Sequence, residues 1–260
     1  MKNGAGVVKS HIKGQKRRPS QSRNRTGIPI NHWCNSFWKR AFDLFWAVLL
    51  LAISWPALVV IGLLIKATAS GPILFRQVRL GKDGSRFEIF KFRTMEHKHD
   101  HQHSHITVFG DPRITKIGGV LRKWKLDELP QLLNVLRGDM SFVGPRPRVP
   151  QQEQDFELLR VRPGVTSMAT LAFRKEESLF EGLSVDQIKE IYTTTIVPLK
   201  VQLDRSYLEK ATIFSDLDLM FRTVISVSEY SRAVSTRDEL LSMIDTSGRI
   251  ENLELALEGD

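Results

Sequence analysis

The stretch Leu44-Phe45-Trp46-Ala47-Val48-Leu49-Leu50-Leu51-Ala52-Ile53-Ser54-Trp55-Pro56-Ala57-Leu58-Val59-Val60-Ile61-Gly62-Leu63-Leu64-Ile65 contains 22 residues and no ionisable side chain. As a straight helix it would reach about 33 Å, enough for the hydrocarbon core of a bilayer. Pro56 falls near its middle, where it removes one helix hydrogen bond and its ring crowds the preceding turn. Ser54 stands beside it with a hydroxyl able to satisfy a freed carbonyl. Both flanks are basic, with Lys39 and Arg40 before the stretch and Lys66, Arg76 and Arg79 after it. The positive-inside rule therefore gives a spanning helix no direction. A helix-break-helix at Ser54 and Pro56, entering and leaving by one face, satisfies both ends. A plain transmembrane anchor is the alternative.

Upstream, the charge is one-sided. The 260-residue chain carries +9, yet residues 1–40 hold ten Lys or Arg and no acid, leaving the remainder at −1. Residues 1–36 are rich in Lys, Arg, Ser, Gly and Asn, a composition that predicts a disordered basic tail. Such an arm can bind nucleic acid, so a membrane-anchored nucleic-acid-binding or adaptor protein is the rival reading. Set directly before an apolar segment, its cations are better placed to meet anionic lipid headgroups. Its shape does not suit a secretory signal, and no small-residue cleavage site follows the apolar run. The single cysteine, Cys34, excludes an internal disulfide and suits a reducing compartment.

Downstream, Ile73 to Arg79 and Phe87 to Phe92 read as two strands around Gly81-Lys82-Asp83-Gly84, a β-hairpin. Lys91 and Arg93 would share one face there and could approach phosphate. His97, His99, His101, His103 and His105 alternate in a polar loop, either a metal-binding tract or one with incidental metal affinity. Next comes Leu126-Asp127-Glu128-Leu129-Pro130, after which Leu132, Leu133, Val135 and Leu136 continue a helical period to Arg137. Pro130 is tolerated in a first turn, and Gly138 can stop the helix in the left-handed conformation. Asp127 and Glu128 thus fall at a helix start, where the dipole favours negative charge. A simple N-cap with a first-turn acid is the bland alternative. Around the pair stand Arg113, Arg122 and Arg137, with Arg146 and Arg148 in a loop stiffened by Pro145, Pro147 and Pro150. Guanidinium forks suit phosphate oxygens, so the combination predicts phosphate chemistry at a membrane surface.

Taken in order, Lys91-Phe92-Arg93-Thr94-Met95, Asp111-Pro112-Arg113-Ile114-Thr115, Leu121-Arg122-Lys123, Leu126 to Leu132, Asn134 to Ser141 and Val143-Gly144-Pro145-Arg146-Pro147 resemble the bacterial sugar transferases. These are the monotopic polyprenyl-phosphate phosphoglycosyl transferases that start glycan assembly. The resemblance runs from about Lys39 to about Tyr230. Arg162-Pro163-Gly164-Val165-Thr166 adds to it, but Ser167-Met168-Ala169-Thr170 departs from the continuation usual in that family, so no sugar identity is carried over.

The resemblance implies transfer of a sugar-1-phosphate from a UDP-sugar to polyprenyl phosphate, usually undecaprenyl phosphate, with release of UMP and help from Mg²⁺. It makes Asp127 the nucleophile that forms an aspartyl-phosphosugar, with Glu128 holding Mg²⁺ or orienting the site. Lys91, Arg93, Arg113, Arg122, Arg137, Arg146 and Arg148 become the phosphate-binding set. It also implies a re-entrant hairpin broken at Ser54 and Pro56, although Trp55 is inserted between the two. Membrane lipids and the two substrates are the expected partners, with no nucleic acid, and with room for downstream glycosyltransferases and self-association. The expected fold is α+β and mainly helical: a re-entrant membrane helix, a β-hairpin and amphipathic surface helices around a cytoplasmic active site. Its divisions are a basic tail at 1–36, the membrane helix at 37–66, the catalytic domain at 67–232 and an acidic tail at 233–260. Segments 184–211 and 214–230 read as helical, the second amphipathic and able to lie on a membrane. The tail from Ala233 carries −5 and reads as a loosely docked helix or as disordered. The expected location is the bacterial inner membrane, with the catalytic domain on its cytoplasmic face.

Overall fold

The computed structural model describes residues 27–96, 113–150, 155–174 and 184–228. The histidine tract, Asp111-Pro112 and the acidic tail lie outside the described residues, as do the first 26.

Helix α1, Phe37–Thr68, is long and apolar enough to cross a membrane. Ser36 caps it by accepting from the Lys39 N–H at 3.0 Å. The helix runs through Pro56, so the expected break is no interruption of the secondary structure. Ser54 Oγ makes no hydrogen bond, contrary to its expected role beside the proline. Proline removes one rung, and the bonds on either side carry a helix past it.

Both arms of α1 rest on the same globular body. Ala47 packs with Leu132, Val135, Met140 and Phe142, while Ile61 and Ile65 pack with Phe92 and Leu121. Between and around them Val48, Ile53, Trp55, Val59 and Leu63 are exposed. Asp43 pairs with Lys39 at 3.1 Å and accepts from Ser141 Oγ at 3.0 Å and the Phe142 N–H at 3.1 Å. Lys39 also reaches Asp216 at 2.6 Å, so this buried ion cluster ties α1 to the last described helix. Arg40 instead donates to the carbonyls of Val135 and Leu136.

Packing begins earlier in the chain than the composition implied. Ile28, Ile30, Trp33 and Cys34 join the main core, and the Asn31 N–H donates to the Leu208 carbonyl at 2.8 Å. The tail boundary expected at residue 36 is thus too late, because these apolar residues have a core to bury against.

Strands β1, Leu74–Leu80, and β2, Arg86–Phe92, form the expected antiparallel hairpin, with Leu74 opposite Phe92 and Leu80 opposite Arg86. Helix α2 covers Lys116–Lys123 and α3 covers Gln131–Arg137, with a 3-10 turn at Leu126–Glu128 between them. Gly138 ends α3 at φ 91°, the left-handed stop expected there. Asn134 on α3 clamps β2, accepting from the Phe90 N–H and donating to the Glu88 carbonyl.

Strands β3, Ser141–Val143, and β4, Gly164–Thr166, form a parallel pair. Three-residue strands are too short to show a period, so the sequence concealed them. A Cβ on Gly164 would lie 2.3 Å from the Gly144 nitrogen, and one on Gly144 would lie 2.7 Å from the Arg162 carbonyl oxygen, so both positions need glycine. Helices α4, Met168–Ala172, α5, Val185–Ile191, and α6, Val197–Lys210, follow, the last two joined by a π-helical turn at Tyr192–Ile196. Helix α7, Ile213–Ser228, exposes Phe214, Leu217, Phe221 and Val224 along one side.

Candidate active site

The Asp-Glu pair sits on the 3-10 turn before α3, not in the first turn of α3. Lys125, just before it, is held left-handed at φ 54°. That conformation is strained for a residue with a Cβ, and it redirects the chain from α2 into the turn. Pro130 supplies helical φ without needing a donor, so the backbone passes smoothly from Glu128 into α3.

Glu128 is the electrostatic hub. Its Oε1 accepts from Lys91 Nζ at 2.7 Å and from Arg146 Nη2. Burial alone would raise its pKa, but Arg146 and Lys91 outweigh that and hold its carboxyl well below the usual glutamate range. Burial lowers the Lys91 pKa, and Glu128 opposes the shift. Arg146 also donates through Nη1 to the Val165 carbonyl at 2.6 Å, so the proline-fixed loop is braced against β4. Asp127 is 7% exposed. Burial and then the Glu128 charge raise its pKa, against Lys91, Lys125 and Arg122. The two neighbouring acids are therefore pushed apart in acidity, which is how a site assigns them different roles.

The other expected phosphate ligands divide. Arg122 lies on α2 within electrostatic reach of Asp127, and its Nη1 is buried without a hydrogen bond. Arg148 interacts with Asp204, which lies behind the Arg146 loop. Arg113 is placed beside the Met95–Ile114 bridge, where its carbonyl accepts from the Glu96 N–H. Arg93 and Arg137 are not brought to the pair. Arg93 is buried and donates to the Ala69 and Ser70 carbonyls at the end of α1, because residue 93 falls just past the strand. Arg137 closes the far end of α3 and stacks on Phe90, 4.7 Å from the ring centre.

A profile of the bacterial sugar transferase family matches residues 34–230. The chain belongs to that family. It is 37% identical over 208 residues to an undecaprenyl-phosphate glucose phosphotransferase of Komagataeibacter xylinus, covering 75% of this chain and 36% of that protein. It is 36% identical over 214 residues to a UDP-glucose:undecaprenyl-phosphate glucose-1-phosphate transferase of Caulobacter vibrioides, covering 78% and 74%. With the exopolysaccharide production protein ExoY of Rhizobium meliloti it shares 34% over 212 residues, covering 73% and 84%. The match thus spans little more than a third of the first of these relatives and most of the other two.

In this member of the family two residues beside the site escaped the sequence reading. Arg79 donates to the Pro147 carbonyl at 3.1 Å, and burial followed by Arg146 lowers its pKa to about 10. Alternation along β1 could have signalled it, since Arg79 lies across from Phe87, on the face that carries Lys91. Asp204, on α6, is buried and accepts from Ser167 and from the backbone N–H groups of Arg146 and Ala169. Burial raises its pKa to about 7. An acid in the middle of a long helix carries no sequence mark of such a position.

Proposed function

We propose that this protein transfers a sugar-1-phosphate from a UDP-sugar to polyprenyl phosphate and releases UMP. The observation that carries the reading is the pair itself: a buried Asp127 carboxylate beside a Glu128 already neutralised by Lys91 and Arg146. A carboxylate nucleophile divides a difficult transfer into two easier ones. Asp127 attacks the sugar-bearing phosphorus and the bond to UMP breaks. The lipid phosphate then displaces Asp127 from the same phosphorus. Arg122 and the Arg146 loop supply the positive charge that phosphoryl transfer requires. The named activities of the relatives and the family profile support the transfer of a sugar phosphate to a polyprenyl phosphate.

Asp127 and Glu128 suit Mg²⁺, which takes one or two carboxylates and completes its shell with water and substrate phosphate. Both bonds to Glu128 fall on Oε1, which leaves Oε2 for a metal. Among the described residues no group of three or more His, Cys, Asp or Glu could hold an ion alone. Mg²⁺, when bound, neutralises diphosphate charge.

The membrane setting is a re-entrant α1 in a bacterial inner membrane, with the site on the cytoplasmic side. A spanning helix would carry its ends about 30 Å apart on opposite faces, whereas both arms of α1 pack on one body. The exposed side of α7 and the exposed middle of α1 are the surfaces for lipid.

The test is to incubate the full chain in nanodiscs with a panel of UDP-sugars, Mg²⁺ and no lipid acceptor. UMP release and a sugar-phosphate adduct on the protein are expected, both absent in Asp127→Asn. Release of UDP, or intersecting double-reciprocal lines with no adduct, would overturn the covalent reading.

A further inference from the structure

Oδ1 of Asp127, both polar atoms of the Gln131 carboxamide and Nη1 of Arg122 are all enclosed and make no hydrogen bond. Gln131 is completely buried, at 0% exposure. An enclosed amide with neither its donor nor its acceptor used is costly, and native proteins rarely tolerate it without a purpose. Burial is not itself the cause. Asn134, one turn further along α3 and equally buried, has its amide paired to the backbone of β2.

The three groups belong to α2, the 3-10 turn and the start of α3, which follow one another directly in the chain. Leu129 and Pro130 are right-handed helical, so the chain winds from the 3-10 turn into α3 without reversal. The turn is tightened by i→i+3 bonds, from Leu129 to Leu126 and from Leu132 to Leu129, so Gln131 lies little more than one turn along the chain from Asp127. Arg122 approaches from α2, near enough for its charge to act on Asp127.

We infer that Gln131 and Arg122 donate hydrogen bonds to Oδ1 of Asp127 while Asp127 carries the phosphoryl group, and so stabilise the aspartate as a leaving group. The inference rests on the covalent reading above. With Oδ1 enclosed, Oδ2 is the oxygen open to substrate, so Oδ2 bonds to phosphorus and Oδ1 becomes the carbonyl oxygen of the acyl phosphate. In the second step an oxygen of the lipid phosphate forms a new bond to phosphorus. The Oδ2–P bond breaks, and its electron pair returns to the carboxylate. Half of that charge appears on Oδ1, where donors placed in advance are most effective. In the first step charge leaves the carboxylate, so the same donors give no advantage. The two half-reactions should respond differently to their loss.

Gln131→Met keeps the shape and removes both polar atoms. In the full chain, adduct formation and the UMP burst should stay within about threefold of wild type, while discharge of the adduct by polyprenyl phosphate slows about ten- to a hundredfold. The adduct should then accumulate during turnover, as read by intact-protein mass spectrometry. Gln131→Glu should discharge slowly at neutral pH and recover as the pH falls, because a protonated carboxyl regains a donor; a purely structural role would give no such rescue. Arg122→Gln should slow discharge more than formation. Discharge at the wild-type rate in Gln131→Met, or equal losses in both steps for Gln131→Met and Gln131→Glu, would overturn the assignment. A wild-type chain that forms no adduct would instead remove the covalent reading beneath it.

Discussion

Lys91 Nζ lies 2.7 Å from Glu128 Oε1, and this bond ties β2 to the turn that carries Asp127. Arg146 meets the same oxygen from the opposite loop. Hairpin, turn and proline loop are therefore held together through one carboxylate.

Removing the planar fork of Arg146 should be costly even when charge is kept. Arg146→Lys cannot reach Glu128 and the Val165 carbonyl together, as Arg146 does. We expect kcat/KM to fall about ten- to a hundredfold, with the membrane-bound fraction unchanged. Normal turnover of this variant would make the loop structural.

Ionised Asp127 is the attacking form, and burial raises its pKa above the ordinary aspartate value of 3.8. The rate of adduct formation should therefore fall with decreasing pH at a midpoint higher than that of an exposed aspartate. Glu128, held well below its usual range, should add no acid limb of its own. A pH profile of the burst, measured without lipid acceptor, checks this. An acid limb at or below 3.8 would contradict it.

Asp204 makes a prediction about stability. Its folded pKa, about 7, lies above the ordinary 3.8, so the folded state binds the extra proton between those values. Its contribution is present below the unfolded pKa and is lost as pH rises through about 7. Asp204→Asn keeps an acceptor for the Arg146 and Ala169 N–H groups but cannot ionise. Thermal scans from pH 4 to 8 should show a flatter decline in Tm for the variant, with the largest gain, roughly 1–3 kcal/mol, at the alkaline end. Parallel curves would show that Asp204 does not titrate in this range.

The topology is open to direct labelling. Single cysteines placed before Phe37 and after Ala67, in a Cys34→Ser background, should both label from the cytoplasmic side. Pro56→Leu should push α1 toward spanning, since it restores the missing hydrogen bond and removes the ring clash. Opposite labelling of the two ends in the unaltered helix would restore a spanning anchor.

Local chemistry was readable directly from the residues. The uncharged run of 22 residues is helical, although without the interruption expected at Ser54 and Pro56; the hairpin turn lies where Gly81 to Gly84 put it, and Gly138 closes α3. The ordered motifs from Lys91 to Pro147 resembled one family, and the profile match agrees. These features depend on propensity, period and backbone conformation within a few residues, which is information a sequence carries by itself.

What only the tertiary structure decided is which side chains meet. Arg93 and Arg122 look alike in sequence, yet one caps the end of α1 and the other lies beside Asp127. Arg40 and Asp43 stand three residues apart in the sequence, but the buried partner of Asp43 is Lys39, and Arg40 turns to the carbonyls of α3. Asp204 reaches the Arg146 loop across more than fifty residues of chain. Such pairings depend on desolvation and packing between distant segments, and no local period encodes them. The sequence alone determined the hairpin, the longer helices and the family; the packing of α1, α3, α6 and the two small sheets decided which of its charges act together.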